Sequence, residues 1–148
     1  MGGAFLIELP LGERYCSPAV PNSTGQPAEI SAFGSIVAGG NPLRLVATDL
    51  PPNQFGYFLT SQTQGFVANP GGSKGNLCLG GQIARFSAQI QNSRAAGSFE
   101  IDVDTTALPT APPTAIQPGE TWSFQAWYRD VDPTPTSNFT DGVGLTFL

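Results

Sequence analysis

The residues able to do chemistry in this chain are few and nearly all of one kind. Eleven Asp and Glu carboxylates stand against six Lys and Arg, there are two cysteines, and histidine is absent. Without imidazole there is no Ser-His-Asp or Cys-His catalysis, no imidazole metal ligand and no histidine pH switch. The carboxylates gather twice, as Glu100, Asp102 and Asp104 along one strand face and as Asp130, Asp132 and Asp141 around a later loop. A glycosidase needs two carboxyls at a defined separation across a cleft, and a small domain of short strands leaves little material for a deep one. Calcium takes roughly six to eight oxygen ligands. Asp130, Asp132 and Asp141, with Ser137, Asn138 and nearby carbonyls, would supply several of them, though without EF-hand spacing. The plainer role for these aspartates is turn capping. We expect a protein that is not an enzyme, with Ca2+ as the one cofactor the sequence admits and a small hydrolase as a distant alternative.

The element that must position the second cluster is Thr121 to Arg129, which carries both tryptophans. At period two it sets Trp122, Phe124, Ala126 and Tyr128 on one side and Thr121, Ser123, Gln125, Trp127 and Arg129 on the other, as in a strand with one buried face. The second face is polar except for Trp127. An indole between Gln125 and Arg129 resembles a platform on which a sugar ring stacks while polar neighbours bond its hydroxyls. The competing role for Trp127 is structural, in a strand covered on both sides.

Further strands are expected at Glu29 to Val37, Leu43 to Thr48, Phe55 to Ser61, Asn76 to Phe86 with a division at Gly80-Gly81, Gly97 to Val103 and Gly142 to Leu148. Turn signals rich in Gly, Pro and Asn separate them. No helical periodicity runs far. About eight short strands with frequent turns imply an all-β fold, an antiparallel β-sandwich or jelly-roll-like domain.

At 148 residues one domain is the default. It is expected over residues 15–148, preceded by an N-terminal apolar strand or linker over 1–14. Charged residues are 11% of the chain, less than half of the roughly 25% usual in soluble proteins, so the polar surface is mostly Ser, Thr, Asn and Gln. A net charge of -5 argues against nucleic acid and anionic membranes. No stretch approaches the roughly 20 apolar residues of a transmembrane helix, so membrane insertion is not expected. The N-terminus lacks a basic region and Glu8 breaks its apolar run, making it a poor signal peptide.

Cys16 and Cys78 are either two buried thiols or one disulfide, and the secreted-type composition favours the disulfide. Such a bridge would close a loop of about 60 residues, valued at roughly 4 kcal/mol by the chain-entropy model. In the segment Ala4 to Leu9, Phe5, Ile7 and Leu9 face one way and Leu6 and Glu8 the other. Its apolar residues Phe5, Leu6, Ile7 and Leu9 would pair within the domain's own sheet or join a neighbouring subunit by strand addition. Asn22-Ser23-Thr24 and Asn138-Phe139-Thr140 fit the N-glycosylation acceptor pattern.

From Tyr15 onward the chain resembles a recurrent module of large secreted bacterial proteins. The matching pieces are Tyr15-Cys16-x-Pro18-Ala19-x-Pro21-Asn22-Ser23-Thr24-Gly25, Leu50-Pro51-Pro52-Asn53-Gln54-Phe55-Gly56-Tyr57-Phe58 and Asn76-Leu77-Cys78-Leu79-Gly80-Gly81. They continue with Gly119-Glu120-Thr121-Trp122-x-Phe124-Gln125-Ala126-Trp127-Tyr128-Arg129-Asp130 and Ser137-Asn138-Phe139-Thr140-Asp141. The module has no assigned catalytic residues. The resemblance implies secretion, a β-sandwich and a Cys16 to Cys78 bridge. The expected function is an extracellular or cell-surface structural or attachment module, in one form a self-assembling filament or surface-layer subunit. Its partners would be copies of itself or other extracellular proteins, and the alternative is a carbohydrate-binding module whose partner is a polysaccharide.

Overall fold

A computed structural model of the chain describes residues 8–148. Its twelve strands are β1 (Glu13–Tyr15), β2 (Glu29–Gly34), β3 (Leu43–Thr48), β4 (Phe55–Ser61), β5 (Thr63–Ala68), β6 (Asn76–Gly80), β7 (Ala84–Arg85), β8 (Gln91–Asn92), β9 (Phe99–Asp102), β10 (Thr121–Val131), β11 (Pro135–Phe139) and β12 (Gly142–Thr146). Every pairing among them is antiparallel. The fold is all-β and sandwich-like. A seven-stranded sheet in the order β1-β12-β10-β4-β7, with β11 beside β10 and β8 beside β4, faces a three-stranded sheet β2-β3-β9.

The strands of the small sheet alternate as the pattern requires. In β3, Leu43, Leu45 and Ala47 are buried while Arg44, Val46 and Thr48 are not, and β9 buries Phe99 and Ile101 while exposing Glu100 and Asp102. Their apolar side meets Phe58, Trp122, Phe124, Ala126, Tyr128, Val143 and Leu145 of the large sheet in one continuous core. Burial of that apolar area is the main force holding the two sheets together. Gly56 lets β4 and β9 close tightly around this layer, because a Cβ there would lie 2.4 Å from the Trp127 carbonyl and 2.9 Å from the Phe99 ring.

β10 is the organising element. Its first half pairs β12, from Thr121↔Thr146 to Phe124↔Val143. Its second half pairs β11, from Trp127↔Phe139 to Val131↔Pro135, while β4 runs along the opposite edge. Between the two partners, the three steps from Phe124 to Trp127 oppose the four from Phe139 to Val143. The extra residue is a bulge at Thr140-Asp141. Thr140 closes it with side chain and backbone, accepting from the Ala126 N–H on Oγ1 (2.9 Å) and donating its own N–H to the Ala126 carbonyl (3.0 Å).

β10 is covered over the middle of its second face. The hairpin β5–β6 forms a third, two-stranded layer that covers Ser123 and Gln125, both fully buried. A second apolar cluster of Leu59, Leu79 and Phe139, with Tyr57, Leu77, Ile83 and Trp127 at its margin, lies on this side. A strand covered on both sides keeps polar residues only if their hydrogen bonds are satisfied there.

Four short or polar strands, β1, β5, β8 and β11, lie beyond those expected. β11 changes the picture most, because the stretch after the aromatic strand is a hairpin and places Ser137 and Asn138 on a strand. The sheet also begins before Tyr15: Glu13 and Arg14 pair with Gly144 and Val143, and Leu11 packs against the main core. The strand expected at Ala4 to Leu9 falls mostly outside the described residues, as do Phe5, Leu6 and Ile7. Glu8 and Leu9 are not in a strand.

Candidate functional site

Cys16 and Cys78 are joined in a disulfide across a separation of 62 residues. The bridge fastens the segment that follows β1 to strand β6 of the outer hairpin. The Tyr15 hydroxyl donates to the carbonyl of Cys78 at 2.8 Å beside it, and burial raises the Tyr15 phenol above its ordinary pKa. The chain then runs as a strap to Pro27, where Pro21 and Pro27 bridge. A segment so rich in Pro and Gly cannot supply a ladder of its own, so side chains hold it.

Three buried residues hold its middle. Asn22 donates from Nδ2 to the Asp49 carbonyl (2.7 Å) and the Tyr128 hydroxyl (3.1 Å), and accepts on Oδ1 from the N–H and hydroxyl of Thr24. Asp130 accepts from the N–H and hydroxyl of Ser23 and from the N–H of Val131. Asn138 donates to the Val20 carbonyl at 3.1 Å and accepts from the Phe139 N–H at 2.7 Å. Asn22 and Asn138 are only 4% and 1% exposed, so neither acceptor asparagine presents its amide to a glycosylating enzyme in the folded chain.

Asp141 holds the start of the strap from the bulge. Its Oδ2 takes the Arg14 guanidinium at 2.8 Å and the Ser17 hydroxyl at 2.6 Å, and its Oδ1 takes the Ile30 N–H at 2.9 Å. Asp130 and Asp141, each buried, thus spend their oxygens on separate parts of the strap and β2, while Asp132 sits in the β10–β11 turn. The three aspartates singled out for Ca2+ do not converge. Among the described residues no three Cys, Asp or Glu side chains are placed to hold a metal ion. In the other acidic set, Glu100 lies 3.4 Å from Arg44. Asp104 caps Thr106, and those bonds hold its carboxyl below the usual range.

Gln125 is also not where a ligand would meet it. It is fully buried, and its amide replaces a ladder that β10 and β6 do not make. Oε1 accepts from the Cys78 N–H at 2.9 Å, and Nε2 donates to the carbonyls of Asn76 and Thr140, each at 2.8 Å. With these bonds made, the amide docks the hairpin and is not exposed beside Trp127, contrary to the expectation from the sequence.

Trp127 and Arg129, two residues apart on one face, do come together at a surface. They border a depression of about 490 Å³ between the β10–β11 hairpin and the β5–β6 connection, with Gln54, Val131, Pro135 and Ser137 around it. Trp127 is half-buried. It meets its cross-strand neighbour Tyr57 with ring centroids 5.1 Å apart and planes inclined by 38°, an arrangement that fixes the indole. Arg129 is exposed. Of the assembly residues, Leu9 is described and is 75% exposed, next to Glu8, which pairs with Arg44 at 2.6 Å.

Sequence reasoning missed Asn22, Ser123 and the bridging role of Gln125. One signal pointed to the two on β10: its second face carries short neutral polar groups at Thr121, Ser123 and Gln125 and a charge only at Arg129, as suits a strand covered over its middle. No protein-family model matches the chain, and no curated protein matches it.

Proposed function

We propose that the chain is a non-catalytic structural or attachment module that works outside the cytoplasm. The observation that carries this reading is the Cys16–Cys78 disulfide, because such bridges persist in oxidising compartments and are rare where glutathione keeps thiols reduced. The strap it anchors adds support: its buried polar partners, Asn22, Asp130, Asn138 and Asp141, are all engaged in holding the chain to itself. Such groups serve rigidity rather than turnover. No helix of the described residues is long and apolar enough to cross a membrane. The resemblance to a module of large secreted proteins points the same way.

Assembly through the N-terminal segment is the specific form of this role, supported by exposed Leu9 and by the apolar residues that precede it in sequence. The chain is fastened from Leu11 onward, where its N–H donates to the Ala32 carbonyl at 2.7 Å. Removal of residues 1–9 should therefore leave the fold intact while abolishing assembly, seen by electron microscopy and light scattering. The role as a whole is tested by fractionating the source cells. An oxidised chain at the cell exterior is expected; a reduced chain confined to the cytoplasm would overturn the reading.

A further inference from the structure

We infer that the depression beside Trp127 is a binding site for polysaccharide and that it takes a uronic-acid residue, with the sugar ring against the indole and its carboxylate on Arg129. This gives the attachment role a partner, and rests on that role only for the compartment in which such a polymer is met.

Four observations converge. Trp127 is held from behind by Tyr57 and by the cluster of Leu59, Leu79 and Phe139, so the platform is rigid before any ligand arrives, and little ordering cost remains. The C–H face of a pyranose is a suitable partner for such a ring. Arg129 stands two residues along on the same face and, among the described residues, its side chain makes no hydrogen bond or ion pair; the same holds for Arg85 and Arg94, which do not line the depression, whereas Arg14 and Arg44 are engaged by carboxylates. A free guanidinium offers a planar fork that matches a carboxylate in two parallel bonds. The one acidic residue lining the depression is Asp130, and its buried carboxylate is taken up by donors from Ser23 and Val131.

The fourth observation concerns the wall. Gly71 and Gly72 form one side, and a Cβ at either would meet nothing within 4 Å. Both have positive φ, 59° and 84°, which favours glycine over residues with side chains. A low, bare wall suits a polymer that continues past the site on either side. The larger depression, about 690 Å³ beside Pro109 and Pro112, lacks these features: its tryptophan, Trp122, is buried and donates to Glu120 at 3.3 Å.

Affinity electrophoresis of the full, oxidised chain through gels containing polygalacturonate or alginate tests this, with fully methyl-esterified pectin and hydroxyethylcellulose as uncharged counterparts. Retardation by a uronate polymer and little by the uncharged ones is expected. Arg129→Glu should weaken retention at least about tenfold, as loss of a charge-assisted pair implies, while Arg85→Glu, an exposed residue outside the depression, makes the same charge change without effect. Trp127→Ala should also lose retention; if it unfolds, Arg129→Glu carries the test alone. The inference fails if neither uronate polymer retards the chain, if uncharged polymers do so equally, or if Arg129→Glu binds like the parent. An exported, oxidised chain that ignores all four polymers would remove this site and leave the attachment role standing.

Discussion

Arg129 and Asp130 are neighbours on β10, yet one is exposed without a partner among the described residues and the other is sealed against the strap. Asp130 points into the region where the strap crosses the sheets, and donors from Ser23 and Val131 surround it. Arg129 points outward with Trp127 over the depression. At this end of β10 the period-two alternation thus sets Asp130, which holds the strap, on the opposite face from Arg129, which does not. A buried polar group must find its partners within the fold, so the strap region is committed. Trp127 is packed on Tyr57 but still reaches the depression, and Arg129 beside it is exposed; the proposed polysaccharide contact rests on these two.

That contrast predicts graded losses of stability on the strap side. The largest belongs to the disulfide: Cys16→Ser with Cys78→Ser should lower unfolding free energy by about 4 kcal/mol, measured in urea, with reductant giving a similar loss in the parent. Asp141→Ala comes next, at about 3 kcal/mol, because it strands the buried Ile30 N–H and frees both Arg14 and Ser17. A loss below about 0.5 kcal/mol would mean that the bulge holds without its carboxylate.

A smaller effect comes from Tyr128. Burial pushes its phenol well above the ordinary value, the Asn22 bond offsets this in part, and nearby Asp130 adds to the rise. A raised pKa in the folded state means that the fold binds the proton more tightly than the unfolded chain, so the contribution is complete below about pH 10 and is lost as pH climbs beyond it. Melting temperature should fall above about pH 10, and Tyr128→Phe should flatten that fall at a cost near 1 kcal/mol at neutral pH. Tyr15, shifted the same way, leaves a residual slope. An alkaline limb unchanged by Tyr128→Phe would place the titration elsewhere.

Much of the scaffold was legible because its strands alternate against a core. Leu43 to Thr48 and Phe55 to Ser61 match their sequence-based bounds, and the break near Gly80-Gly81 is real. β5 was not legible because it lies on the outside: Thr63 to Ala68 has no buried residue, and Phe66 and Val67 are exposed. β11 opens on Pro135 and continues through Thr, Ser and Asn, a composition of turns, and becomes a strand only because β10 runs long enough to pair it. The tethers were invisible for another reason. Asn22 meets Tyr128 across 106 residues and Asn138 meets Val20 across 118, and neither pairing leaves a local pattern. That Trp127 and Arg129 share one strand face could be read from the sequence because it is a local property, whereas the burial of Gln125 against β6 depended on where a distant hairpin folds.

The measurement that tests the division most directly pairs retention on polygalacturonate with urea unfolding, on the same preparations of the parent, Arg129→Glu and Asp141→Ala. Arg129→Glu should unfold within about 0.5 kcal/mol of the parent and lose retention, while folded Asp141→Ala should lose stability and keep retention. Stability and retention falling together in both variants, or Arg129→Glu destabilising the fold as much as Asp141→Ala does, would contradict it.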